Sequence, residues 1–220
     1  NQIDAKSSVH ERQIRQSVCA SDTPYRLTMR ETGVLDNLQF RPLQRRQPAS
    51  DEVEIRVKAA GLNFRDVMTA LGMLPLNEDD RYHGFGWECA GIVVSVGEEV
   101  SSIDEGDLVM AIASGAIGTH ALARASLVVP VPQKINVEEA ASVPVAFLTA
   151  WYSLVHLARL EKGERALIHS ATGGVGLAAV QIARYLGAEV FATAGSAEKR
   201  SFLTEMGIQH VMDSRTTEFA

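Results

Sequence analysis

Cysteine is scarce in this 220-residue chain: only Cys19 and Cys89 occur, with no CxxC pair and no Cys/His cluster. Two cysteines cannot frame a disulfide-stapled scaffold, and their spacing fits no structural zinc motif. Such usage suits a reducing compartment, so a cytoplasmic setting is expected. Long apolar runs are missing too. None reaches the ~18 residues of a membrane span. The opening NQIDAKSSVHERQIRQ is polar, unlike the apolar run of a secretory signal. Basic excess is the third absence. The formal net charge is −6, whereas nucleic-acid binders carry a basic stripe. Neither nucleic acid nor a membrane is an expected partner, and the negative charge reads as a contribution to solubility.

What is present is enough for a core: 46% of residues are hydrophobic, and the length suits one large or two small domains. The first part reads as β-rich. PYRLTMRE (24–31) and EVEIRVKAAGLN (52–63) alternate polar and apolar residues, as half-buried strands do. CAGIVVSVGEEV (89–100), GDLVMAIA (106–113) and GTHALARASLVVPVP (118–132) add further strands between closely spaced glycines and prolines. That rhythm predicts a barrel-like or sandwich fold. One helix interrupts it, FRDVMTALGM (64–73), with Val67, Leu71 and Leu74 on one face.

Near Pro132 the rhythm changes, which divides the chain into a β-rich domain at 1–133 and a second domain at 134–220. Residues 135–164 are helical, broken by Pro144. RALIHSA (165–171) reads as a strand, Gly174 to Leu186 as a helix and EVFATA (189–194) as a strand. A helix at 197–207 and a strand at 209–214 complete the pattern. Strand-helix-strand-helix-strand is one mononucleotide-binding half of a doubly wound parallel sheet, so the fold class is α/β plus β.

The loop between the first strand and helix of that half carries the chemistry. The strand enters a turn of Thr172, Gly173 and Gly174; Val175 follows, and Gly176 falls in the first helical turn. Ser170, Gly173 and Gly176 are read as the three spaced positions of a GxGxxG fingerprint, with serine replacing the first glycine. Glycines let the backbone approach a pyrophosphate, and the free N–H groups at the helix start favour its negative charge. The required context, a strand before and a helix after, is met. The alternative is a glycine turn that serves packing only.

A further absence indicates which dinucleotide. An NAD site carries Asp or Glu at the end of the second strand, to hold the ribose 2′-hydroxyl. No carboxylate lies between Thr193 and Ser196. Ser196, Lys199 and Arg200 instead offer donors and positive charge to a 2′-phosphate, which points to NADP(H). The alternative is that the basic pair decorates a solvated helix start.

GLNFRDVMTALGM (61–73), WECAGIVVSVGEEV (87–100), VPVAFLTAWYSL (143–154) and HSATGGVGLAAVQIARYLGAEVFATA (169–194) together resemble the medium-chain dehydrogenase/reductase superfamily. Within it they resemble the enoyl reductase domains of modular type I polyketide synthases and, more distantly, of animal fatty acid synthase. The similarity covers nearly the whole chain and is weakest over the first 20 residues. It implies a GroES-like substrate domain followed by a Rossmann domain. It also implies NADPH-dependent reduction of an enoyl thioester on an acyl carrier protein, beside neighbouring synthase domains. Zinc members of the superfamily place Cys and His where this chain has Asn63 and Trp87. An amide is a poor zinc ligand and an indole is none, so a zinc-free site is expected.

The resemblance assigns Asn63 to the nicotinamide and ribose, and Thr149 to the cofactor; the purely structural roles would be a turn residue and a hydroxyl bonded back to its own helix. Phe85 and Trp87 flank Gly86 and either wall the acyl pocket or belong to the core. Arg65 and Asp66 pair with one another or brace the site. His83 lies next to this loop, while His120 and His169 read as structural, the latter as a hydrogen-bonded core histidine. Many relatives carry LGMYP, with a tyrosine that protonates the enolate; here Leu74 in LGMLP donates nothing. Protonation then comes from elsewhere, or a γ-halide leaves and the enolate closes a cyclopropane. A stand-alone quinone oxidoreductase and a non-catalytic cofactor-binding fragment are also compatible with the residues. Since a complete Rossmann sheet needs about three more strands, the natural protein is expected to continue beyond Ala220.

Overall fold

The computed structural model describes residues 23–74 and 84–217, and these fall into two compact units that part between Ser142 and Val143. In the first unit β1 (Tyr25–Met29) and β2 (Leu38–Pro42) form an antiparallel hairpin. The main sheet has five antiparallel strands in the order β6-β3-β4-β5-β7. They are β3 (Glu52–Gly61), β4 (Glu88–Val96), β5 (Leu108–Ile112), β6 (His120–Arg124) and β7 (Val128–Pro130). Register shifts against β4 at Glu54/Ile55 and Val57/Ala59 mark bulges in β3, which add twist and let a sheet curl.

The alternation in EVEIRV does what the pattern predicts: Val53 and Ile55 are fully buried with Cys89, Val93 and Val109. Burial pushes the Cys89 thiol up to about 12, so it stays a thiol within the core. Strand β2 has no counterpart in the sequence pattern. LQFRP lacks the β-branched alternation of a strand, and pairing with β1 rather than its own pattern defines it.

Helix α1 (Phe64–Ala70) differs from expectation in its buried face. Val67 and Leu71 are exposed, whereas Asp66 and Ala70 are buried. Asp66 accepts hydrogen bonds from Asn63 N (2.9 Å) and Gly86 N (2.8 Å), so a polar anchor turns the helix about its axis. Helix α2 (Val137–Ala141) starts with a reciprocal capping box between Asn136 and Glu139. Its Ala140 and Ala141 pack on Ala90 of the five-stranded sheet. The first unit therefore extends past the 133/134 boundary expected from the sequence.

In the second unit Pro144 opens α3 (Pro144–Trp151), where its fixed φ and missing N–H are tolerated. A π-helical turn, Tyr152–Leu157, continues it. There follow β8 (Arg165–Ile168), α4 (Gly174–Leu186), β9 (Glu189–Ala194), α5 (Ala197–Glu205) and β10 (His210–Asp213). Gly187 ends α4 in the left-handed region, at φ +79°. The strands are parallel in the order β10-β9-β8, as a mononucleotide-binding half requires. Val180 and Ala183 of α4, Ala192 of β9 and Leu203 of α5 are fully buried between helices and sheet. A buried Leu such as Leu203 contributes about 1.5–3 kcal/mol.

Candidate cofactor site

Ser170 leaves β8 with φ +50°, in the left-handed region that glycine favours. Gly173 N donates back to Ser170 O at 2.8 Å and Leu177 N to Gly173 O at 2.8 Å, which closes the turn onto α4. At Gly176 an added Cβ would run into Ser170 O and lie 2.7 Å from Ala171 Cα. Only glycine lets α4 pack this closely on the end of β8. The strict GxGxxG spacing, counted back from Gly176, falls on Ala171, Gly173 and Gly176 rather than on Ser170. Ala171 is fully buried, so the serine supplies the left-handed turn and the alanine occupies the packed position. Gly173, Gly174 and Val175 are exposed, Thr172 is partly so, and a Cβ on Gly174 would meet nothing within 4 Å. Helix geometry leaves the N–H groups at the start of α4 without intrahelical acceptors. This exposed, dipole-assisted cradle suits a pyrophosphate.

At the far end of β9, Ser196 caps α5 by accepting from Lys199 N at 3.3 Å. The Lys199 side chain is exposed. Arg200 does not stand free beside it as expected. Its Nη1 donates to Asp213 Oδ2 at 2.8 Å and to Ala194 O at 3.2 Å. It neutralises the carboxylate that ends β10 and pins α5 to the sheet. A second guanidinium, not singled out by the motif, stands closer. A Cβ on Gly195 would lie 3.5 Å from Arg215 Nε and 3.6 Å from both its Nη2 and Ser214 Oγ. Arg215 is exposed. The sequence signal for it is the parallel pattern itself, which brings the end of β10 beside the end of β9.

In the first unit, Asn63 stands at the N-cap of α1 and its Nδ2 donates to Glu88 Oε1 at 2.9 Å. Glu88 and Asp66 are both 3% exposed. The Arg65 guanidinium lies 3.8 Å from the centre of the Trp87 ring, a cation–π contact. Asp66 braces the Gly86 backbone, so bracing rather than an Arg65–Asp66 pair is the role its contacts support. Phe85 is 7% exposed, which matches the core alternative of its two expected roles. Leu74 is partly exposed, and His83 lies outside the described residues.

Thr149 Oγ1 donates to Val145 O at 2.7 Å, the back-bond to its own helix. His169 Nδ1 lies 3.1 Å from Thr193 Oγ1, so the histidine is hydrogen-bonded as expected. It is nevertheless exposed rather than in the core, because β8 ends one residue earlier.

A GroES-like alcohol dehydrogenase domain matches residues 49–133, and a zinc-binding dehydrogenase domain matches residues 174–220. The chain belongs to the medium-chain dehydrogenase/reductase superfamily. Within it the similarity runs to polyketide synthases. A phenolphthiocerol/phthiocerol polyketide synthase of Mycobacterium tuberculosis is 47% identical over 201 residues, covering 91% of this chain and 9% of that protein. The CurK enoyl reductase superimposes with a TM-score of 0.84 at 46% identity, over 90% of this chain and 62% of that one. The CurF enoyl reductase cyclopropanase from the curacin A pathway gives 0.80 at 42% identity, over 90% and 62%. Escherichia coli quinone oxidoreductase complexed with NADPH gives 0.78 at 32% identity, over 89% and 60%. The chain thus spans under two thirds of each of these proteins.

The name of the second domain implies zinc, and the donor set does not fit it. Asn63 spends its amide on Glu88, and Trp87 lies against a guanidinium. Among the described residues no three His, Cys, Asp or Glu side chains gather to hold a metal ion. The glycine turn, by contrast, fits a dinucleotide: Gly173, Gly174 and Val175 lie exposed at the start of α4 with open space beside Gly174, while the close approach at Gly176 holds that helix start on the end of β8.

Proposed function

We propose that the protein is an NADPH-dependent enoyl reductase of polyketide biosynthesis, acting on an α,β-unsaturated acyl chain carried by an acyl carrier protein. Neighbouring synthase domains supply and remove that chain, in the cytoplasm. The reading is carried by one observation. A chain similar to polyketide enoyl reductases joins a glycine turn to a β9 end that has basic groups and no acid.

Bound at this turn, NADPH supplies a hydride to the β-carbon of the acyl chain. The N–H groups of Gly174, Val175 and Gly176 bind the pyrophosphate. Ser196, Lys199 and Arg215 take the 2′-phosphate, while Arg200 removes the Asp213 charge that would repel it. Asn63 and Thr149 are assigned to the nicotinamide end. Trp87 remains the wall assigned to the acyl chain. Leu74 donates no proton, so the α-carbon takes its proton from water or another group.

The same residue favours a second reading. On a γ-halogenated substrate the hydride adds at the β-carbon, the enolate carbon attacks the γ-carbon and halide leaves, so a cyclopropane forms with no proton needed. Mass spectrometry of the carrier-bound product separates the two. Reduction of a γ-chloroenoyl thioester keeps chlorine and gains a hydride and a proton; ring closure loses chloride. Oxidation of NADPH by the full-length protein with quinones, but never with an enoyl thioester, overturns both.

A further inference from the structure

We propose that a cavity in the first unit binds a singly charged oxyanion, the carboxylate or phosphodiester of a small organic ligand, with the Arg26 guanidinium as its anchor. The site uses no residue of the second unit and is independent of the cofactor reading. The cavity measures about 570 Å3, and Arg26 of β1, Arg45, Arg46, Glu52 and Glu54 supply its charges. That volume is in the range of small-molecule sites.

Two of the three guanidiniums are already spent. Arg45 holds Glu54 through a fork, Nε to Oε1 at 2.8 Å and Nη2 to Oε2 at 2.6 Å. Arg46 holds Glu52 in the same way, at 2.7 and 2.9 Å. Both carboxylates are thereby neutralised, and Arg26 is left over. It is partly buried, and among the described residues no acceptor bonds its guanidinium. Burial lowers its pKa, and no neighbouring acid offsets that. Burial, then the charge of Arg45, also hold His120 on the lining below its ordinary value, so at neutral pH it adds no charge. One positive charge on the lining is therefore unmatched, and a charge withdrawn from water without a partner is costly.

The fold also holds this arginine in place. The backbone on either side of it is bonded to the approach to β6: Leu27 N donates to Ile117 O at 2.8 Å and Thr119 N to Tyr25 O at 2.9 Å. A Cβ on Gly118 would lie 2.9 Å from Arg26 Cβ, and one on Gly84 would lie 3.4 Å from Arg26 Cδ. Two positions without side chains thus clamp the stem, so the guanidinium has little freedom left to lose on binding. Across the hairpin Arg26 pairs with Arg41. Residues directly opposite share a face, where like charges are destabilising. An arginine serving only solubility needs neither the clamp nor a second arginine opposite. An oxyanion relieves both charges and accepts from the planar guanidinium fork. The Ser114 hydroxyl, exposed on the cavity lining, adds a further donor.

The test is calorimetric titration of the full-length protein with butyrate and diethyl phosphate, beside their neutral analogues butyramide and triethyl phosphate. Both anions are expected to bind, and the neutral analogues to bind at least about tenfold more weakly. Arg26→Gln weakens the anions about tenfold or more, the loss of one charge-assisted fork. Arg30→Gln removes the same charge from an exposed position that does not line the cavity, and changes them by about twofold at most. Without anion, Arg26→Gln melts no lower than the parent, because it removes one of two facing like charges. Butyrate raises the melting temperature of the parent and not of this variant. Tighter butyrate marks the ligand as a carboxylate, tighter diethyl phosphate as a phosphodiester. Absence of binding by both anions at millimolar concentration overturns the site, as do equal losses in Arg26→Gln and Arg30→Gln or equal binding of the neutral analogues. Should Arg26→Gln not fold, Arg26→Lys, which keeps the charge and the stem but not the fork, is read in its place, and unchanged anion binding there overturns the anchor.

Discussion

Arg200 and Arg215 carry the same guanidinium at the same end of the sheet, and their surroundings separate them. Arg200 is ion-paired with Asp213, and each side chain of the pair is 27% exposed. Arg215 is exposed beside Gly195 and Ser214. Arg215→Ala and Lys199→Ala are expected to weaken NADPH by roughly tenfold each and leave NADH nearly unchanged, since each removes one charge-assisted contact to a phosphate. Arg200→Ala is expected to lower the melting temperature more than either. Titration with both nucleotides and thermal melts check this; equal losses for NADPH and NADH in Arg215→Ala would reject the 2′-phosphate role.

His120 gives a pH signature. Burial, then the charge of Arg45, hold its imidazole below the ordinary 6.5, Glu54 opposes them, and Arg56 adds to the lowering. The unfolded chain therefore binds the proton first, and stability falls as pH drops through that ordinary value. His120→Gln should flatten the melting temperature between about pH 7.5 and 5.5 relative to the parent, a window set by the ordinary histidine value.

Elements were legible where local pattern and environment agree. The alternation of β3, the proline that starts α3 and the glycine that closes α4 all act locally, and each is where the residue types place it. Helix α1 shows the limit. Its apolar stripe of Val67 and Leu71 predicted a buried face, yet the helix is anchored through Asp66, whose two bonded N–H groups belong to Asn63 and Gly86. Gly86 lies twenty residues away from Asp66. No periodicity encodes so remote a partner, and for the same reason Glu88 could not be paired with Asn63 before the strands were in register.

The anchor can be tested. Asp66→Asn keeps one acceptor but turns a donor toward the other N–H, leaving a buried N–H without a partner at about 1–3 kcal/mol. In a chain of this size that lowers the melting temperature by several degrees. An unchanged melting temperature would mean that Asp66 is not the anchor.

At the scale of the molecule the second unit presents an unpaired edge. Among the described residues β8 pairs only with β9, in parallel, and its other edge carries open N–H and C=O groups. The strand is RALI, with Ala166 and Ile168 buried and Leu167 44% exposed. An apolar groove of about 570 Å3 opens between α3 and α4, lined by Phe147, Leu148, Trp151, Ile182 and Tyr185. Parallel sheets are covered on both faces, and proteins blunt exposed edges with charge. RALI has its one charge at Arg165, which is already paired with Glu189. The 220-residue chain expressed by itself should therefore associate through β8 in a concentration-dependent way. Leu167→Lys adds charge to that edge without removing a buried side chain, so it should suppress association and leave the melting temperature nearly unchanged, as surface substitutions do. Light scattering across a dilution series decides it. Association unchanged by Leu167→Lys but reduced by Tyr185→Lys would move the contact from the strand edge to the groove between the helices.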